Sequence, residues 1–66
     1  MAIVEQHTPT RLGNKMRTIR EERGLSIEAA AVQARVGDRT WLAVEEFGPV
    51  ACTDVTLRRI LDWLSM

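Results

Sequence analysis

The chain has 66 residues, 45% of them hydrophobic, and its nine basic residues balance its nine acidic ones. A domain of this size buries only ~60% of its unfolded surface and is marginally stable alone, so association with a second copy would help it. Zero net charge argues against a purely electrostatic nucleic-acid binder, because affinity for DNA comes largely from Lys and Arg that neutralise phosphates. No apolar run approaches the ~18 residues of a membrane span.

The single cysteine, Cys52, cannot form an internal disulfide, and the start "MAIVEQHTPT" lacks the basic region of a signal peptide. We therefore predict a cytoplasmic protein. Cys52 has no acid–base partner nearby in sequence and is expected to be a small, buried or half-buried side chain. His7, the only histidine, has no further metal ligand at a suitable spacing. Without a phosphate loop or a Gly-rich fingerprint, the sequence predicts neither an enzyme nor a cofactor.

Residues 1–8 are predicted to form a flexible N-terminal arm, and residues 9–66 a single domain. The segment "TPT" predicts the start of the first helix. Thr8 or Thr10 can cap it, and Pro9 suits the first helical position.

Four helical segments follow from the apolar spacing. The first has one apolar face, formed by Leu12, Met16 and Ile19. Gly24 supplies a left-handed stop, and Ser26 is a predicted N-cap of the Ala-rich second helix. Its small residues favour close packing against the third helix. The sequence therefore predicts an all-α bundle of four to five short helices.

Gly37 and Asp38 separate the third predicted helix from the second and cap its start. The third helix ends at "GP". Its predicted core residues are Trp41, Val44 and Phe47. Thr53 or Asp54 can cap the last helix. That helix is strongly apolar, with Val55, Leu57, Ile60, Leu61 and Leu64.

The segment "LGNKMRTIREERGLSIEAAAVQARVGDRTWLAVEEFG" resembles the helix-turn-helix domain of the lambda repressor and Cro-like family, often called the XRE type. The family's usual positions are matched by Leu12-Gly13, Met16-Arg17, Arg20, Gly24-Leu25-Ser26, Ala31, Val36, Trp41, Val44 and Glu45. The resemblance covers over half of the chain. It implies that the second helix lies across the DNA backbone and braces the third helix in the major groove.

The resemblance places base-reading side chains in the N-terminal half of the third helix. Arg39 can grip the two acceptors of a guanine, and Thr40 can reach a phosphate or a base. Leu42 and Ala43 can touch thymine methyls. Asp38 can accept from a cytosine amino group, although a capping role explains it equally well.

Phosphate contacts are expected from Ser26 and the amide groups that begin the second helix. Three further residues can add positive charge, namely Arg35, Lys15 and Arg17. Residues 11–35 hold six basic and three acidic residues, a net charge of +3, whereas residues 38–62 hold three and five, a net charge of −2.

Three positions depart from the family pattern. Ile27 stands where a Gln often contacts the DNA backbone, and Gly37 where a Ser or Thr is common. Arg35 stands in the turn where a glycine is usual. One interpretation is that the glycine has moved by two residues and gives a different turn.

In the family, an arginine of the first helix pairs with a glutamate of the third. The resemblance implies the same pair here, between Arg20 and Glu45. The alternative is two independent surface charges.

The tail "ILDWLSM" contains more apolar groups than one core needs. Trp63 and Met66 are predicted to be surplus, and exposed groups of this kind often mark an interface. Together with Leu64 they predict a homodimer through the final helix, with the "AIVEQ" arm as a further contact. A two-fold dimer would read a palindromic operator in double-stranded DNA. In the alternative, Trp63 covers the core of a monomer.

The leading interpretation is a small sequence-specific transcriptional regulator, a repressor of the phage or mobile-element kind. The competing interpretation is a helix-turn-helix module that binds a protein partner. It is favoured by the zero net charge, the acidic second half, Ile27 and an exposed Leu42.

Overall fold

The computed structural model describes residues 10–66. It contains four α-helices, α1 (Arg11–Glu22), α2 (Ile27–Ala34), α3 (Asp38–Phe47) and α4 (Asp54–Leu64), and a short 3₁₀ helix, Pro49–Ala51, before α4. No strand occurs in this part of the chain, so the predicted all-α bundle is confirmed. The predicted arm, residues 1–8, and Pro9 lie outside the described residues. No helix between Thr10 and Met66 combines the length and the apolar character needed to cross a membrane.

Local capping chemistry sets most of the helix ends. Three helices begin after a hydroxyl side chain that accepts a hydrogen bond from the backbone N–H three residues later. These N-caps are Thr10, Ser26 and Thr53. Each cap stabilises its helix by about 1 kcal/mol. Gly24 follows α1 with a φ of 69°, which is the left-handed stop that the sequence predicts.

The core is organised around two tryptophans. The rings of Trp41 on α3 and Trp63 on α4 meet edge to face, with centroids 5.0 Å apart and planes at 87°. The other fully buried apolar residues are Met16, Ala30, Ala31, Ala34, Val44 and Ile60. The alanines leave room for the backbones of α2 and its neighbours to approach closely, as their small size predicts.

The prediction that Trp63 is surplus and exposed is wrong. Its side chain is 1% exposed, and its ring Nε1–H donates to Oε1 of Gln33 at 3.0 Å. The guanidinium of Arg23 lies over the same ring, 4.4 Å from its centroid. Trp63 therefore covers the core of its own chain and cannot anchor a dimer interface without unfolding.

Three apolar residues noted in the sequence are largely exposed, and one of them, Phe47, was expected in the core. Phe47 is 56% exposed, because α3 ends there and Gly48 turns the chain with a φ of 87°. A side chain at Gly48 would collide with Thr10, 2.6 Å from its Cγ2 atom. On α4, Val55 and Leu61 are 62% and 45% exposed, so the buried stripe of this helix is narrower than its composition implies.

The turn between α2 and α3 keeps its left-handed residue, and that residue is Arg35. Its φ and ψ are 64° and 40°, whereas Gly37 has a φ of −69° and forms the N-cap of α3. The interpretation that the glycine has moved and produced a different turn is therefore wrong. Asp38 is the first residue of α3 and not its N-cap, although its carboxylate accepts from the Arg39 backbone N–H at 2.8 Å.

Candidate functional site on the third helix

The inner face of α3 is held by a buried ion pair. Glu45 is 1% exposed, and its two carboxylate oxygens accept from Nε and Nη2 of Arg20 at 2.8 and 3.3 Å. The indole N–H of Trp41 donates to the same carboxylate. The predicted contact between Arg20 and Glu45 is therefore present, with the two-pronged geometry that favours Arg for such pairs.

Arg20 connects three parts of the fold. Besides Glu45, it binds the backbone carbonyl of Leu25 through Nη1 at 3.1 Å. The hydrogen bond to Glu45 raises the pKa of Arg20, and burial opposes this only partly. Removing one partner of such a pair leaves an uncompensated buried charge, so the pair fixes the orientation of α3 relative to α1 even if its net stabilisation is small.

Two basic residues of α1 were predicted to meet phosphates. Nε of Arg17 lies 3.6 Å from Oε1 of Glu45, and its side chain is 47% exposed, so part of its charge is already compensated. Lys15 is exposed and forms no ion pair with any residue between Thr10 and Met66. Within the described residues, Lys15 is thus the one of the two whose charge has no acidic partner.

The outer face of α3 presents the predicted base-reading residues. Arg39 and Leu42 are exposed, Leu42 at 42%, and Ala43 is half-buried beside them. Within the described residues, Arg39 makes no ion pair. Thr40 is also half-buried but lies toward Val44, four residues later, so it stands at the edge of this face.

Glu46 also lies on the outer face, and sequence reasoning missed it. It is exposed, four residues after Leu42 and seven after Arg39, which puts all three on one side of an α-helix. That spacing was the available signal. With Asp38 and Glu46 against Arg39, the exposed charged residues of α3 carry a net charge of −1.

A shallow groove separates the start of α2 from the start of α3. Ile27 and Leu42 give it an apolar lining, and its rim carries both signs of charge. The rim residues are Arg20, Glu28, Asp38 and Arg39. Ser26 stands at the beginning of α2, where its exposed hydroxyl accepts from the Ala29 N–H at 3.1 Å. The structure thus brings the predicted base readers next to the helix start that was predicted to meet a phosphate.

A second basic residue joins Arg35 at the turn. Nη1 of Arg59, from α4, donates to the backbone carbonyl of Arg35 at 2.9 Å. Both side chains are exposed. Sequence reasoning did not single out Arg59. Its contact with Arg35 joins residues 24 positions apart, and no local sequence pattern predicts it.

The other residues that the sequence singled out do not lie on α3. Leu64 is half-buried. Met66 is 80% exposed, and its carbonyl accepts a hydrogen bond from Nη2 of Arg23 at 2.8 Å.

Cys52 is half-buried beside the 3₁₀ helix, as expected. Burial, followed by the nearby Asp54 charge, raises the pKa of its thiol. A raised pKa keeps the thiol protonated and a poor nucleophile. No cluster of three His, Cys, Asp or Glu side chains suited to a metal ion occurs in residues 10–66.

Comparisons with known proteins add no relative to these observations. No family model matches the chain, and neither the curated proteins nor the solved structures contain a match.

Proposed function

We propose that the protein is a sequence-specific DNA-binding transcriptional regulator in which α2, the turn and α3 act as a helix-turn-helix of the lambda-repressor type. The observation that carries the proposal is that Arg20 and Trp41 both donate hydrogen bonds to buried Glu45. These bonds fix α3 by one face and leave the opposite face open. A helix held in this way, braced by a second helix across a three-residue turn, fits the docking geometry of such proteins in the major groove.

Each side chain of the outer face has a role in this proposal. Arg39 reads a guanine through its two acceptor atoms, and Leu42 and Ala43 contact thymine methyl groups. Ser26 and the first amides of α2 hold a phosphate on one side of the groove. Lys15 adds a positive charge that is not paired by any residue between Thr10 and Met66. Function here is binding, without catalysis and without a cofactor.

The experiment that tests the proposal is selection of bound duplexes from a random DNA pool, performed with the wild-type protein and with Arg39→Ala. We expect a palindromic consensus for the wild type. The variant should lose preference at one position of each half-site, at a cost of about 1–3 kcal/mol. Arg11→Ala, which removes an exposed arginine at the start of α1, serves as the matched control and should keep the consensus. A wild-type pool without enrichment would overturn the proposal.

We further propose that the regulator is a homodimer and that repression follows from occupancy of a two-fold operator. With Trp63 buried, the candidate interface on α4 is Leu61, flanked by half-buried Leu57 and Leu64 four residues before and three residues after it. This spacing forms one helical stripe. An isologous contact along it would pair two copies about a two-fold axis.

Light scattering at micromolar concentration tests the dimer. We expect twice the monomer mass for the wild type and the monomer mass for Leu61→Asp. Val55→Asp introduces the same charge on another exposed side of α4 and should leave the dimer intact. Monomer mass for the wild type, or equal masses for the two variants, contradicts this interface.

A second candidate function is a module that keeps this arrangement of helices but binds a protein. The net charge of −1 on the exposed charged residues of α3 and the exposed Leu42 favour it, because interfaces between proteins depend less on positive charge. The random-pool selection separates the two candidates, since a protein-binding module enriches no DNA sequence.

A further inference from the structure

Arg35 occupies a backbone conformation that suits its residue type poorly. Within residues 10–66, the other two residues with positive φ are Gly24 and Gly48. An L-residue with a Cβ is strained in the left-handed region, and Gly or Asn would fit this C-cap more easily. Strain of this kind at an exposed turn points to a use for the side chain.

Arg59 brings a second cation to the same turn. Its guanidinium donates to the Arg35 carbonyl at 2.9 Å, which holds it against the turn, and Arg59 is exposed. A hollow beside the turn is lined by Arg35, Arg59 and Asp62. No ion pair joins Asp62 to either arginine. Arg35 and Arg59 therefore line one hollow, and within residues 10–66 neither guanidinium has a carboxylate partner. This arrangement suits a phosphate, which Arg binds through paired N–H groups.

The turn leads directly into the start of α3. Gly37 caps this helix without a side-chain hydrogen bond, and the nearest atom to a Cβ added there is Oγ1 of Thr40 at 3.8 Å. A DNA backbone can thus approach the helix start closely. Because the exposed charged residues of α3 sum to a net charge of −1, the positive charge that DNA requires has to come from residues beside this helix.

We infer that Arg35 and Arg59 together bind the phosphate backbone of DNA beside α3. The inference rests on the proposed function and adds to it a clamp built from the α2–α3 turn and from α4. It assigns the strained Arg35 to affinity, and it assigns Arg59, which lies outside the helix-turn-helix, to the same phosphates.

The test is the salt dependence of binding to a random-sequence duplex, measured between about 50 and 200 mM salt for four proteins. The log–log slope falls by about 0.9 for each phosphate contact that is lost. We expect this loss in Arg35→Asn and in Arg59→Gln. Arg11→Gln, an exposed arginine on α1, is the matched control and should keep the wild-type slope.

A thermal melt of the same variants separates binding from folding. Since Asn tolerates the left-handed region, Arg35→Asn should melt at or above the wild-type temperature while it binds DNA more weakly. Wild-type slopes in both clamp variants overturn the clamp and leave the proposed function standing. A wild-type protein that fails to bind any duplex overturns both.

Discussion

The two faces of α3 use charge in opposite ways. On the inner face, Glu45 is withdrawn from water and bound by Arg20 and Trp41. On the outer face, Glu46, the next residue along the chain, is exposed and forms no ion pair with the described part of the protein. The same side-chain chemistry therefore fixes the helix at one position and is left available to a partner at the next.

The contrast shows where specificity can change without loss of the fold. Residues of the inner face are constrained by contacts from α1 and α4, so their replacement alters stability. Residues of the outer face contact little else, so their replacement alters binding.

The largest expected effect is on the free energy of unfolding of Glu45→Ala. This change leaves Arg20 without its carboxylate and Trp41 without an acceptor, and it should cost about 3–5 kcal/mol. Glu46→Ala, the matched control one residue later, should stay within about 0.5 kcal/mol of the wild type. Urea unfolding followed by circular dichroism measures both.

Equal stabilities for these two variants would show that the buried ion pair does not hold α3. A double replacement, Arg20→Met with Glu45→Leu, sharpens the comparison, because it removes both charges together and should be less destabilising than Glu45→Ala. Because the hydrogen bond to Glu45 raises the pKa of Arg20, its guanidinium stays protonated up to and above its ordinary pKa. Its contribution is thus constant through neutral pH and is lost only as the pH rises through the raised value.

An intermediate effect is expected for Trp63→Phe, which shrinks the ring packed on Trp41 and removes the hydrogen bond to Gln33. The free energy of unfolding should fall by about 2 kcal/mol. Met66→Ala removes an exposed apolar group nearby and should have little effect. If Trp63→Phe instead halved the mass of a wild-type dimer at unchanged stability, the burial of Trp63 would have to be reconsidered.

The smallest effect concerns Glu46→Gln on the outer face. Removing this negative charge should strengthen binding to random-sequence DNA by at most about 1 kcal/mol, the size of one solvent-exposed charge interaction at short range. Stability should not change. Fluorescence anisotropy with a labelled duplex measures the affinity, and a weaker complex would place Glu46 in a favourable base contact.

Sequence reasoning predicted the features that depend on neighbouring residues. The caps at Thr10, Ser26 and Thr53 and the stop at Gly24 each follow from a side chain and the backbone a few positions away. The contact between Arg20 and Glu45 also came out correctly, but through a family resemblance. Nothing in the local pattern alone joins α1 to α3.

Two of the errors lie where distant parts of the chain meet, and a third, at Arg35, is local. Trp63 was placed on the surface because its partner, Trp41, stands on another helix and cannot be seen in the periodicity of α4. Phe47 was placed in the core because its spacing continues the stripe of α3, although the helix leaves the core at its last turn. Arg35 was read as evidence for a different turn, because its left-handed backbone contradicts the preference of its residue type.

The most direct test of the account is a methyl NMR titration of the protein with the duplex obtained from the random-pool selection. We predict that the methyl signals of Leu42 and Ala43, on the outer face of α3, shift on binding. Those of Val44 and Ile60, buried behind that face, should stay largely in place. Shifts confined to other helices, or no shift at any duplex concentration, would contradict the claim that α3 is held by its inner face so that its outer face can read DNA.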